Sequence, residues 1–257
     1  MLIFARKRSV KNLLFTLFPL SLFFFAPTTK ASFEFSPISA NLNTEGKESV
    51  LIARLQNHEE EKVPVLIRVF NRSYDENGKE IRTPTTDLTV YPYQFTLGPK
   101  ETKNVQISWR GSKDLPFEKA YRMVVEELPI DFAPRTHGNG QIRILVNYDT
   151  ALYVSSKVGP PNVKLSAAEP VDDGRRVRLT LSNEGESHSV INHPEVGLRC
   201  KSENEFSVLK ENQLGGLSGK NFLARNKLVL KTVLPAKLRE CKNLEWTFNY
   251  KIKSDRE

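Results

Sequence analysis

Apolar and polar residues alternate along most of this chain in short runs, as they do in half-buried β-strands. The longest alternating run is Gln141 to Val154, QIRILVNYDTALYV. Its apolar face carries Ile142, Ile144, Val146 and Tyr148, and its polar face carries Arg143, Asn147 and Asp149. This pattern predicts a long β-strand with one face available for apolar contacts.

Six further runs of the same kind precede it. The strands predicted in this half are Phe33 to Leu42, Ser49 to Asn57, Val63 to Asn71, Leu88 to Leu97, Lys103 to Trp109, Ala120 to Leu128 and Gln141 to Val154. Residues that favour turns separate them, as in Asp75 to Gly78 and Gly98-Pro99-Lys100. Seven strands over ~120 residues are typical of an immunoglobulin-like sandwich.

A short linker, SSKVGPPN, follows at Ser155 to Asn162, and its two prolines make it stiff. Five more strands are predicted after it: Val163 to Ala167, Arg175 to Asn183, Glu195 to Lys201, Asn221 to Leu230 and Leu244 to Lys253. The prediction is therefore an all-β chain of two immunoglobulin-like β-sandwich domains in tandem. We expect the first at residues 32–156 and the second, smaller one at 157–257.

The first 31 residues have the pattern of a secretory signal peptide. Basic residues precede the apolar run from Leu13 to Ala26, and Thr29 and Ala31 suit a cleavage site after Ala31. A membrane anchor is the alternative, but Pro19 interrupts the run and it is shorter than the ~20 apolar residues of a spanning helix. We expect a cleaved signal, an exported protein and no stable membrane insertion after cleavage.

The formal net charge of +8 falls once the signal is set aside. Residues 1–31 hold five basic residues and no acidic one, which leaves +3 for the rest. The remaining charges are interspersed, so the sequence gives no support to a nucleic-acid partner.

Cys200 and Cys241 are the two cysteines of the chain. In an exported protein an even pair indicates a disulfide, and two separate buried thiols are the alternative. No CxxC pair or paired histidines accompany them, so no metal site is predicted.

Several segments resemble the periplasmic chaperones of bacterial chaperone-usher pilus systems, in a divergent branch. They are FSPISANL from Phe35, LTVYPYQFTLGPKETKNVQISW from Leu88, FEKAYRMVVEELP from Phe117, LSNEGESHSVI from Leu181 and LGGLSGKNFLARNKLVLKTVLP from Leu214. The resemblance implies a non-enzymatic periplasmic protein that binds pilus or fimbrial subunits and delivers them to an outer-membrane usher. Its mechanism would be donor-strand complementation, in which the chaperone lends a β-strand to the subunit.

On this pattern the residues that fill the subunit's groove are Ile142, Ile144, Val146 and Tyr148. The alternative is that this apolar row belongs to the chain's own core.

The chain departs from the family at the anchor for the subunit's terminal carboxylate. The usual arginine and lysine align with Ser39 and Asp149, and an aspartate would repel a carboxylate. Backbone groups, Arg143 or Lys157 are alternative anchors, or the relation to the subunit has changed. The family's acidic residue at the head of the sixth strand matches Glu118, whereas the arginine that ends the last strand is replaced by Val154.

No catalytic motif or cofactor site is predicted. The four histidines, His58, His137, His188 and His193, fall in predicted loops without metal-ligand spacing. The segment from Gly216 to Lys220 fails both the nucleophile-elbow and the P-loop patterns. The other functions considered are an exported adhesion or envelope-structural module without strand exchange, and an exported hydrolase.

Overall fold

The computed structural model describes residues 32–130 and 144–252. The strands are β1 (Phe33–Ser36), β2 (Ser39–Asn43), β3 (Val50–Asn57), β4 (Val63–Tyr74), β5 (Glu80–Pro84), β6 (Leu88–Tyr91), β7 (Gln94–Leu97), β8 (Thr102–Trp109), β9 (Lys119–Glu127), β10 (Asn147–Ser155), β11 (Val163–Val171), β12 (Arg176–Asn183), β13 (Ser189–Cys200), β14 (Ser207–Leu209), β15 (Asn221–Phe222), β16 (Lys227–Val233) and β17 (Leu244–Ile252). Three short 3₁₀ turns lie at Lys47–Ser49, Glu211–Gln213 and Ala236–Leu238. The predicted all-β class is confirmed, and the predicted signal peptide, residues 1–31, lies outside the described residues.

The first sandwich is built from β1 to β10. One sheet has the order β1-β3-β8-β6, and the other has the order β2-β10-β9-β4-β5, with β7 also paired to β4. Inward-facing side chains alternate along the strands and form one core, which includes Phe33, Leu55, Tyr121 and Leu152. Tyr121 is fully buried, and its hydroxyl donates to Asp87 Oδ2 at 2.7 Å.

Two of the strands predicted in the first half of the chain are each divided between the two sheets of the first sandwich. The predicted strand Phe33 to Leu42 becomes β1, which pairs with β3, and β2, which pairs with β10. The predicted strand Leu88 to Leu97 becomes β6, which pairs with β8, and β7, which pairs with β4. A proline lies at the break in each case, Pro37 directly after β1 and Pro92 directly after β6. Because proline has no N–H, it cannot donate a hydrogen bond to the neighbouring strand.

The β4–β5 hairpin was not predicted. β4 continues three residues past its predicted end and turns through Asp75 to Lys79 into β5. The Asn77-Gly78 pair is a hairpin signal, and Gly78 has the positive φ of 78° that such a turn needs. This hairpin carries side chains of the candidate site.

The second sandwich is built from β11 to β17. A three-stranded sheet, β11-β12-β16, faces a sheet in which β13 pairs with β14, β15 and β17. Its own core includes Leu179, Leu181, Ile191, Leu198 and Phe222. Together with the first sandwich, it confirms the prediction of two tandem immunoglobulin-like sandwiches, while the boundary at residue 156 stays a prediction.

Cys200 and Cys241 form a disulfide, as predicted from the pair. The bridge joins the end of β13 to the segment before β17, across a sequence separation of 41 residues. Both cysteines pack against the second core. In the described part of the chain no helix is long and apolar enough to cross a membrane.

Candidate functional site

Within the described part of the chain, the first half of β10 has no partner strand on one side. β10 lies between β9 and β2, but in residues 32–130 and 144–252 the pairing with β2 covers only Ala151 to Ser155. On the other side β9 pairs with β10 from Asn147 to Val154. Because alternate residues of an edge strand direct N–H and C=O groups outward, Asn147 to Thr150 can accept a further strand.

The inner face of β10 belongs to the first sandwich. Leu152 and Val154 are fully buried, and Thr150 Oγ1 donates to Met123 O at 3.0 Å. Tyr148 lies over Phe33 with a ring-centroid distance of 5.2 Å, and its hydroxyl donates to Phe33 O at 2.7 Å. At Tyr148 the apolar row therefore packs against the chain's own core, as the alternative interpretation expected.

Among the described residues just before β10, 144–146 are not part of a strand, although the sequence predicted a strand from Gln141. Val146 packs against the first core, and its carbonyl accepts from Glu127 N at 3.2 Å. Ile144 and Leu145 are 69% and 38% exposed. The described part of the run therefore has two portions: Val146 and the inward-facing residues after it pack against the first core, whereas Ile144 and Leu145 are exposed. Gln141, Ile142 and Arg143 lie outside the described residues.

Ser39 and Asp149 lie on the outer face of the same sheet. Ser39 is opposite Ala151 in the parallel pairing of β2 with β10, and Asp149 is two residues before Ala151, so the two side chains share a face. Ser39 is exposed. Asp149 is not an isolated negative charge, because its Oδ2 accepts from Arg82 Nη2 at 2.5 Å and its Oδ1 lies 3.6 Å from Arg122 Nε.

An arginine cluster, defined here as Arg72, Arg82 and Arg122, surrounds Glu80 on this face. Glu80 accepts from Arg72 Nε at 2.9 Å, Arg82 Nε at 2.7 Å and Arg122 Nε at 3.1 Å. Although burial alone would raise the pKa of the Glu80 carboxyl, the hydrogen bonds and positive charges of the arginines lower it to about 2. Three arginines against Glu80 and Asp149 leave one positive charge in excess, so the cluster can attract an anion.

The sequence-based interpretation missed this cluster. Its arginines come from β4, β5 and β9, and they meet only because β4 lies between the other two strands. The available signal was the Asn77-Gly78 turn flanked by alternating charges, which predicts a hairpin with Arg72, Glu80 and Arg82 on one face.

A polar network joins the cluster to the second sandwich. Tyr153 OH accepts from Arg72 Nη1 at 3.3 Å and from Asn221 Nδ2 at 2.5 Å. The Tyr153 ring stacks on His188 at 3.8 Å between centroids, and burial raises the pKa of the Tyr153 phenol. Tyr153 thereby contacts both the arginine cluster and the second sandwich.

Glu118 pairs with His188 across the two sandwiches. Its Oε1 lies 2.6 Å from His188 Nδ1 and accepts from His188 N at 3.1 Å. Val154, the residue that aligns with the family's arginine, is buried in the first core and cannot serve as the ionic partner. In this chain, a histidine from the second sandwich contacts the acidic residue instead.

No protein-family model matches the sequence, and no curated protein matches it. Solved structures do match. The class 5 fimbriae chaperone CfaA is 14% identical, with a TM-score of 0.52 over 86% of this chain and 100% of that one. This chain shares its fold.

Two matching chains come from complexes. One is from the CsuC–CsuE chaperone–tip adhesion subunit pre-assembly complex of the archaic chaperone-usher Csu pili of Acinetobacter baumannii. It is 17% identical, with a TM-score of 0.51 over 78% of this chain and 90% of that one. The other is from the SafA pilin–SafB chaperone complex of Salmonella enterica. It is 12% identical, with a TM-score of 0.51 over 81% and 86%. The resemblance found in the sequence is thus confirmed at the level of the fold.

The described histidines contact carboxylates one at a time. His58 Nε2 lies 3.3 Å from Glu34 Oε2, and His193 Nδ1 lies 3.2 Å from Glu211 Oε2. Among residues 32–130 and 144–252, no three histidine, cysteine or acidic side chains are grouped so that they could hold a metal ion. His137 lies outside these ranges.

Proposed function

We propose that this protein is a periplasmic, non-enzymatic chaperone that binds pilus or fimbrial subunits and delivers them to an outer-membrane usher. The observation that supports the proposal most strongly is the open edge of β10 at Asn147 to Thr150, beside the exposed apolar residues Ile144 and Leu145. The N-terminal signal pattern supports export, and the shared fold supports the chaperone role.

The mechanism is strand addition. A subunit strand pairs with the outward-directed N–H and C=O groups of Asn147 to Thr150 in β10, and apolar side chains from the start of the run enter the subunit's groove. Ile142, Ile144 and Val146 are the proposed groove-filling residues, with Tyr148 shared with the chain's own core. Each aliphatic side chain that becomes fully buried contributes about 1.5–3 kcal/mol.

The arginine cluster is the proposed anchor for the subunit's terminal carboxylate. Guanidinium groups bind carboxylates through N–H donors, and Arg82 already donates from Nη2 to the carboxylate of Asp149. The incoming carboxylate competes with Asp149 for Arg82 and Arg122. In this proposal the arginine cluster binds the carboxylate, rather than Ser39 and Asp149 at the positions where the family has its usual anchors.

The test is co-expression with a fimbrial subunit encoded next to this protein. We expect the subunit to become soluble and to co-purify with the chaperone, and Ile144→Asp to abolish the complex because it puts a charge into an apolar groove. Arg82→Gln should weaken the complex with less effect than Ile144→Asp.

Ile52→Asp is the matched control. Ile52 is 54% exposed on β3, in the opposite sheet, so its substitution should leave subunit binding unchanged. A subunit that stays equally soluble and uncomplexed with or without this protein would contradict the proposal and favour an adhesion or envelope-structural module.

A further inference from the structure

The turn of the β4–β5 hairpin, Asp75 to Lys79, is rigidly built. Gly78 N donates to Asp75 O at 3.0 Å, and Asp75 N donates to Lys79 O at 3.0 Å. The Asp75 carboxylate also accepts from Asn77 N and Lys79 N at 2.9 and 2.8 Å. This turn therefore has a fixed shape.

The turn contacts the edge of the second sandwich. β16 is the outer strand of the sheet β11-β12-β16, so one side of it has no strand partner in the described part of the chain. There Val229 N donates to Glu76 O at 2.6 Å. One backbone hydrogen bond thus pairs the hairpin with an otherwise open edge.

Lys220 of the second sandwich binds the same turn. Its Nζ donates to Gly78 O at 2.9 Å and lies 4.7 Å from the centroid of the Tyr74 ring. The Lys220 backbone is itself fixed, because its N–H donates to Leu217 O and its carbonyl accepts from Ile191 N. The ammonium group is therefore held at the hairpin by a hydrogen bond and a cation–π contact.

Gly78 permits this close approach. A Cβ atom at this position would lie 2.7 Å from Leu228 Cδ1 and 3.1 Å from Lys220 Nζ. The positive φ of Gly78 adds a second reason for glycine here. Both the turn geometry and the packing against the second sandwich therefore require glycine at position 78.

A second attachment lies between Glu118, the residue before β9, and the loop before β13. Glu118 N donates to Glu186 O at 2.8 Å, and His188 N donates to the Glu118 carboxylate at 3.1 Å. Together with the contacts of Tyr153 to Asn221 and His188, these separated attachments prevent rotation about any one of them. We propose that the β4–β5 hairpin is a clamp that, together with the Glu118 attachment, fixes the orientation of the second sandwich relative to the first.

The test uses the full chain without any subunit, so its outcome does not depend on the proposed function. In Gly78→Ala, and in the double variant Gly78→Ala/Lys220→Met, we expect the Val229 amide to exchange with solvent at least about tenfold faster than in the unsubstituted protein. Nitrogen-15 relaxation should give one rotational correlation time for both sandwiches in the unsubstituted protein and two different times in the double variant.

Two matched controls separate the clamp from ordinary substitution effects. Gly46 also has a positive φ, 74°, but a Cβ there meets nothing within 4 Å. Gly46→Ala therefore introduces the backbone strain of a positive φ without a steric clash. Lys164→Met removes an ion pair with Glu184 that lies wholly within the second sandwich. Both controls should keep Val229 protection and the common correlation time. A common correlation time in the double variant would overturn the proposal, and Lys220→Met alone repeats the test if Gly78→Ala fails to fold.

Discussion

At the scale of single residues, Glu80 holds three strands together through its charge. Arg72, Arg82 and Arg122 reach it from β4, β5 and β9, and the side chains of Arg72 and Arg122 are only 6% and 14% exposed. A carboxylate that accepts from several guanidinium groups is stabilised in its charged form. The folded protein is therefore stabilised by ionised Glu80.

This arrangement predicts a pH dependence of stability. Because the pKa of Glu80 falls from 4.5 to about 2 on folding, its stabilisation is complete above pH 4.5 and is lost as the pH falls toward 2. Between pH 6 and pH 3 the unsubstituted protein should lose about 1–2 kcal/mol more of its free energy of unfolding than Glu80→Gln. Urea denaturation at the two pH values measures this difference.

Glu45→Gln is the control for that measurement. Glu45 pairs with Lys113 at an exposed position, and such pairs contribute little. The Glu45 variant should follow the unsubstituted protein at both pH values. If the unsubstituted protein and Glu80→Gln lose the same free energy of unfolding between pH 6 and pH 3, the stability of the cluster does not depend on the Glu80 charge.

At the scale of the element, the run that ends in β10 has two parts with different neighbours. From Thr150 onward, inward-facing residues are fully buried and β2 covers the outer edge of the strand. Before Asn147, Ile144 and Leu145 are exposed. The buried part positions the strand, and the open part is available for a partner.

The two parts should respond differently to truncation. Leu152→Ala leaves a cavity in a packed core and should lower the free energy of unfolding by about 3 kcal/mol. Ile144→Ala removes an exposed side chain and should change it by less than about 0.5 kcal/mol. Urea denaturation of both variants gives the comparison, and similar losses would mean that Ile144 packs within its own chain.

At the scale of the whole molecule, each sandwich has its own core, and the disulfide belongs only to the second. Cys200 and Cys241 close a segment that contains β14, β15 and β16. In the first sandwich, backbone ladders and the packed core hold the strands without a covalent link. Loss of the bridge should therefore weaken the second sandwich first.

The double substitution Cys200→Ala/Cys241→Ala should lower the free energy of unfolding by up to about 4 kcal/mol, the loop-entropy estimate for a bridge of this length. Hydrogen exchange should rise in β13 and β16 more than in β9. Reducing agent should weaken the unsubstituted protein to a similar extent and leave the variant unchanged. If the unsubstituted protein is equally stable with and without reducing agent, the bridge does not contribute.

The pattern of the sequence was sufficient for the all-β class, the two sandwiches and the cysteine pair. Alternation with period two and turn residues such as Gly98-Pro99-Lys100 are local, so they can be recognised without a structure. The limits of β3, β8 and β9 were predicted to within one residue of those observed. These features depend on which side chains can be buried on one face of an extended chain.

Only the tertiary structure decided how strands pair and which side chains meet. The predicted strand from Phe33 to Leu42 crosses from one sheet to the other at Pro37, and the charge of Asp149 is balanced by Arg82 from a strand 67 residues earlier. Lys220 contacts Gly78 across 142 residues. Such contacts depend on strand order and on the packing of one sandwich against the other. Neither can be recognised from the alternation of apolar and polar residues in the sequence.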